Sequence, residues 1–162
     1  MTDSADDIKK LEFLVEKSRA LLREQLVSYE NCTSKSGIII TVIALFIPLA
    51  VTFISSQDPY FILKLATILP IGLAVMALHK LLSVMKPKSL GHGFNFQQFS
   101  KNLRSDYSKL LSYEIETNRG TFNLNAPKVK KQIDDFKEGI SYIVFSSSLL
   151  FLILIINLFF HH

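Results

Sequence analysis

Three stretches of the chain are almost wholly apolar, and the stretches between them set apolar and charged residues at helical steps. The first apolar block, "GIIITVIALFIPLAVTFI", fills the 18 positions 37–54. The second, "YFILKLATILPIGLAVMALHKLL", fills the 23 positions 60–82, and the third, residues 140–160, adds 21 more in which Ser148 and Asn157 are the only polar side chains of "SLLFLILIINLFF". A bilayer core of about 30 Å takes roughly 20 helical residues. Backbone groups in lipid must be satisfied within their own segment, so each block is expected to be a helix. Only five residues, 55–59, join the first two blocks, which predicts a two-span hairpin.

The flanking segments read differently. In residues 1–36, Ile8, Leu11, Val15, Leu22, Gln25 and Tyr29 fall on one face at three- and four-residue steps, with Leu14, Leu21 and Leu26 beside them. Charges fill the other face, with Glu12 and Glu16 near Lys9, Arg19 and Arg23. No proline or glycine occurs before Gly37, so this amphipathic helix is expected to run nearly unbroken into the first span. Residues 83–139 open with "KPKSLGHGFNF", where Pro87, Gly91 and Gly93 stop the second span. Phe96, Phe99, Leu103, Tyr107, Leu110 and Leu111 then form an apolar stripe on a predicted helix. "NRGTFNLNAP" reads as a turn, broken at Gly120, with Pro127 suited to the first turn of another helix. That helix carries Val129, Ile133, Phe136 and Ile140 and leads into the third span. The fold class expected is all-α and membrane-embedded: an amphipathic N-terminal helix over 1–36, the hairpin over 37–82, a helical segment over 83–139, and a last span over 140–160.

Charge sets the direction. Residues 1–36 hold six lysines and arginines and residues 80–139 hold eleven, against none in 55–59. The positive-inside rule places the N-terminus and the middle segment in the cytoplasm. No basic region followed by an apolar run and cleavage site opens "MTDSADDIKK", so insertion is expected through the spans themselves. A single cysteine, Cys32, excludes an internal disulfide and any multi-cysteine metal site. Asn31-Cys32-Thr33 matches a glycosylation acceptor but faces the cytoplasm in this topology. His161 and His162 end the chain and receive no role.

Catalytic chemistry is not apparent. The chain has no GxGxxG, Walker A or HExxH, and His92 alone represents histidine in the aqueous part. Glu114 and Glu116 diverge on a helix, and Asp134–Asp135 read as a solvated face. A non-enzymatic protein without cofactor or metal is expected. Residues 80–138 carry eleven basic against six acidic residues. Lys101, Arg104, Arg119, Lys128, Lys130 and Lys131 are candidates to gather around an anion, with Tyr107, Tyr113 or Phe122 for stacking. The alternative is that this charge is the topogenic signal and a contact for anionic lipid. No nucleic-acid readout is expected. Among the spans, Lys64 either snorkels outward or lines a pore, His79 is either interfacial or pore-lining, and Pro48 and Pro70 are expected to kink their helices. Ser146, Ser147 and Ser148 suit close helix packing.

The entry "TSKSG", the exit "KPK", the helix "YSKLLSYEIETN" and "KVKKQIDDFKEGI" ahead of the last span form a layout over residues 8–160. It resembles the small transmembrane effectors of bacterial anti-phage systems, the Pycsar transmembrane effectors and SLATT-type domains. Lys35, Lys86 and Pro87 carry the resemblance as membrane-entry and exit positions, while Thr33 and Ser34 stand where the Pycsar-like pattern usually has an acid. The resemblance implies an oligomeric protein of the bacterial inner membrane. A cytosolic partner or nucleotide signal would trigger it to impair the membrane in abortive infection. The rival expectation is a membrane anchor that recruits a cytosolic partner through the N-terminal helix.

Overall fold

A computed structural model describes residues 5–55, 61–95, 97–98 and 104–160, with the side chains of 53, 54 and 160 excepted. Four helices make up nearly all of it: α1 over Ala5–Ser55, α2 over Phe61–Ala66, α3 over Ile68–Met85 and α4 over Tyr107–Phe160. The chain divides into two compact units. One combines Met1–Glu30 with Pro87–Lys131, the other Asn31–Lys86 with Gln132–His162.

α1 is continuous for 51 residues, more than twice the roughly 20 a bilayer core requires. Asp6 and Asp7 sit in its first turn, where the helix dipole favours negative charge. Val15, Leu22, Ser36, Ile43 and Ala50, all of its buried positions but Gln25, lie at steps that are multiples of seven, and Tyr29, half-buried, fills the missing step. α4 repeats the pattern: Leu111, Asn118, Asn125, Gln132, Gly139, Ser146 and Ile153 are all buried, each seven residues from the next. A sustained seven-residue repeat is the signature of left-handed helix packing.

Several expectations for the middle segment are overturned. "NRGTFNLNAP" is not a turn: α4 runs unbroken for 54 residues through both Gly120 and Pro127. A Cβ at Gly120 would meet nothing, and Pro127 is exposed, so neither residue disturbs packing. The buried Asn125 and Val129 on either side hold the helix across the proline. The helix expected across this stretch is not continuous: residues 97–98 are helical, but Arg104–Asp106 form a turn and bend, and α4 starts at Tyr107. Tyr107 is 52% exposed and is therefore no core position, whereas Leu111 is buried. Phe96, Phe99, Leu103 and Lys101 lie outside the described residues, as do 56–60, where the tip of the expected hairpin falls, and His161 and His162.

The first unit buries Val15 and Leu22 of α1 and Leu111 and Val129 of α4, together with the polar side chains Gln25, Glu114, Asn118 and Asn125. The second unit is centred on Ile43, Ala77 and Leu81, with Ile39, Ile47, Phe136, Tyr142 and Ile143 around them. On α3 the inward face is Pro70, Ala74, Ala77, Leu81 and Val84, again at three- and four-residue steps. The second apolar block provides one candidate span, Phe61–Met85, with a local turn at Thr67, whose helical backbone sends its N–H to both Leu63 O at 3.1 Å and Lys64 O at 3.2 Å. Pro70 thereby falls in the first turn of α3, where its missing N–H leaves no helical bond unmade. α3 ends at Lys86, whose ψ of 126° is the extended conformation a following proline imposes.

Three helices are long and apolar enough to cross a membrane. Ile38, Leu45, Leu49, Ile62, Leu69, Phe145 and Phe151 of the second unit are each at least 60% exposed. A contiguous apolar coat of this kind is matched by lipid, not water.

Candidate functional site

In the first unit the chain after α3 has no regular structure through residues 87–95, so its backbone polar groups need other partners. α4 supplies them from its buried face. Asn125 Oδ1 accepts the Gly91 N–H at 3.0 Å and its Nδ2 donates to Gly91 O at 2.9 Å. One turn pair earlier, Asn118 Oδ1 accepts the Phe94 N–H at 3.0 Å while its Nδ2 donates to Ser18 Oγ on α1. Lys128 Nζ donates to Ser89 O at 2.7 Å, and the Lys88 N–H donates to Tyr29 OH at 3.0 Å. Glycine is required at two points: Gly93 has φ +80°, and a Cβ on Gly91 would come within 2.6 Å of Thr121 Cγ2. The capping exchange between Asn95 and Gln98, each N–H bonded to the other's side-chain oxygen, then opens the next turn.

Nearer the start of α4, Glu114 is 5% exposed and takes both its hydrogen bonds from Arg19, Nη2 to Oε2 at 2.9 Å and Nε to Oε1. That bond, opposed by partial burial and aided by the carboxylate's charge, raises the Arg19 pKa. Tyr107 OH donates to Glu12 Oε1 at 2.8 Å, which holds the phenol above its ordinary value. Burial pushes the Cys32 thiol up, against the pull of Lys35.

The anion-site residues expected from sequence do not converge. Arg104, Tyr107, Tyr113, Arg119, Lys130 and Lys131 are all exposed. Tyr107 and Lys130 are separated by about 35 Å of helix at 1.5 Å per residue. Tyr113 borders a cleft of about 780 Å³ walled by Asp7, Asp106 and Glu116 with Lys109, an acidic setting. Its ring meets Phe94 edge-on at 6.0 Å.

In the second unit several polar side chains are buried. Ser36, Thr67, Gln132 and Ser146 are fully buried and Asp135 is 8% exposed. Ser146 Oγ donates to Pro70 O at 2.7 Å, and Gln132 Nε2 donates to Thr33 Oγ1 at 2.9 Å and Val84 O at 3.0 Å. Asp135 is not part of a solvated pair: Asp134 is exposed, but Asp135 meets Lys80 Nζ at 3.3 Å, and Lys80 also reaches Glu138 at 2.6 Å. Lys80→Met strands a buried carboxylate and is expected to lower the thermal unfolding temperature in detergent, and Asp135→Asn added to it should restore most of the loss. Equal unfolding of the single and double variants would show the pair to be inert.

The pore or gate candidates are likewise dispersed. Pro70 is buried on the inward face of α3, Lys64 is half-buried on α2, and His79 is exposed between the inward Ala77 and Leu81. The sequence reading missed Asn118, Asn125 and Gln132, whose seven-residue spacing is their only signal. No group of three or more metal-ligating side chains occurs among the described residues. No family model matches this chain, and comparison with curated proteins and with solved structures returns no match.

Proposed function

We propose that this chain is a non-enzymatic, oligomeric membrane effector that permeabilises or disrupts its bilayer when a partner or small signal acts on the aqueous unit. One observation supports the reading most: the second unit buries polar side chains within an apolar exterior. Ser36, Thr67, Gln132, Asp135 and Ser146 lie inside it with the small Ala50, Ala74 and Ala77 and the aliphatic Ile43 and Leu81, while much of its outside is aliphatic and aromatic. In lipid no hydrophobic force holds helices together, so such an interior rests on close packing and a few hydrogen bonds. Polar groups kept inside membrane helices serve function more often than stability. Exchange of partner helices between copies would turn those polar side chains toward a water-filled path. The positive-inside distribution and the anti-phage-effector layout favour the bacterial inner membrane, the cytoplasmic N-terminus, the two-span hairpin and a role in abortive infection.

Expression together with the trigger should collapse the membrane potential, and purified chain should release dye from vesicles in a dose-dependent way. Full toxicity with an intact potential would reject the reading. A second reading, an anchor that recruits a cytosolic partner, draws on Phe13, Leu14, Leu21 and Val27, which leave 46% to 60% of their surface exposed on the charged half of α1. Loss of partner recruitment in Phe13→Asp and Leu21→Asp, with dye release unchanged, would favour the anchor.

A further inference from the structure

We infer that the first unit carries a binding site for a small ligand bearing a phosphate or carboxylate on a flat apolar body. The site is a cleft of about 290 Å³ where α1, the 87–95 segment and α4 meet, bounded by Arg19, Arg23, Leu26, His92, Phe94 and Glu114. That volume lies at the small end of ligand pockets.

Charge within the cleft is unbalanced. Arg19 and Glu114 neutralise each other through two hydrogen bonds. Arg23, one turn further along α1, and His92, across from it, make no hydrogen bond or ion pair among the described residues. A guanidinium fork and an imidazole therefore stand without partners at one cleft that the apolar Leu22, Leu26 and Phe94 also line. A planar oxyanion matches an arginine fork in shape and charge, and an aromatic body matches the remaining walls.

The surroundings hold these groups in place. His92 lies between Gly91, bonded through both backbone groups to the buried Asn125, and Gly93, whose φ of +80° turns the chain. Phe94 is fixed by its N–H to the buried Asn118 and by its ring on Tyr113. A segment without secondary structure is thus pinned at the positions flanking His92, so little ordering is left to be done when a ligand arrives. The site stands apart from any action on the bilayer.

Full-length chain in an uncharged detergent, titrated calorimetrically with phenyl phosphate, tests it. Saturable binding is expected, with benzoate binding by the same residues, inorganic phosphate weaker and phenol not binding. Arg23→Ala and His92→Ala should each weaken phenyl phosphate roughly tenfold or more, with unchanged thermal unfolding since both side chains are exposed. Absence of saturable binding for both phenyl phosphate and benzoate, or undiminished binding in both variants, overturns the inference. Repeating the titration in nanodiscs separates sources. Competition by phosphatidate and not by phosphatidylcholine identifies a lipid headgroup as the ligand, and its absence identifies a soluble one. Dye release has no part in these measurements, so their failure leaves the proposed membrane action standing.

Discussion

Replacing Asn125 by leucine is expected to cost about 2–4 kcal/mol, from two lost bonds to backbone groups at roughly 1–3 kcal/mol each. The side chain is 1% exposed, and it satisfies both the N–H and the C=O of Gly91. Leucine has the same branched outline with a larger volume, so the change removes hydrogen bonds without opening a cavity. Gly91 is itself exposed, so water recovers part of the loss and keeps the expected value below the sum of two fully buried defects. The damage should be local before it is global: protease cleavage within residues 87–95 should rise well ahead of helix loss followed by circular dichroism. Asn123→Leu, on the exposed side of the same helix, should stay within about 0.5 kcal/mol. If Asn125→Leu matches that control in both measurements, α4 does not hold the segment.

Glycines on α4 should respond in opposite directions to added bulk. A Cβ at Gly139 would lie 2.9 Å from both Cγ and Cδ2 of Leu81 and 3.5 Å from Ala77 O. Gly139→Val is therefore expected to destabilise by about 1–3 kcal/mol through overpacking, despite the gain from removing a helical glycine. Shortening the opposing side chain in Gly139→Val with Leu81→Ala should recover part of it, a coupling that distant sites would not show. At Gly120 nothing lies within 4 Å, so Gly120→Ala should stabilise by up to about 1 kcal/mol. Thermal unfolding in one detergent compares all of these. A destabilising Gly120→Ala would mean that α4 bends at the glycine, as the turn signals of "NRGTFNLNAP" first suggested.

How much was legible follows from which force placed each residue. The inward face of the first half of α1 was readable because Val15 and Leu22 are apolar at helical steps, and both are buried as expected. The stop after α3 was readable because Pro87 dictates the conformation of the residue before it. Asn118, Asn125 and Gln132 were not, since a polar residue on a helix looks like a solvated one until its partner is known. Gly120 and Pro127 misled for the related reason that local propensity, worth about 1 kcal/mol for glycine and 3 for proline, is outweighed by packing along a long helix. Asp135 looked solvated because Lys80 is 55 residues away. The six basic and aromatic candidates for an anion site were joined by charge alone, and α4 strings most of them along its length.

From composition and periodicity alone came the helical class, the three blocks apolar enough for lipid, and the amphipathic face of α1, because each depends on the burial preference of a residue and its near neighbours. Only the tertiary structure decided that α4 is one helix, that its buried seam is largely polar, and that Arg23 and His92 face one cleft beside a pinned glycine segment. Those features rest on hydrogen bonds between residues 24 to 100 positions apart, and such bonds leave no local periodicity to read.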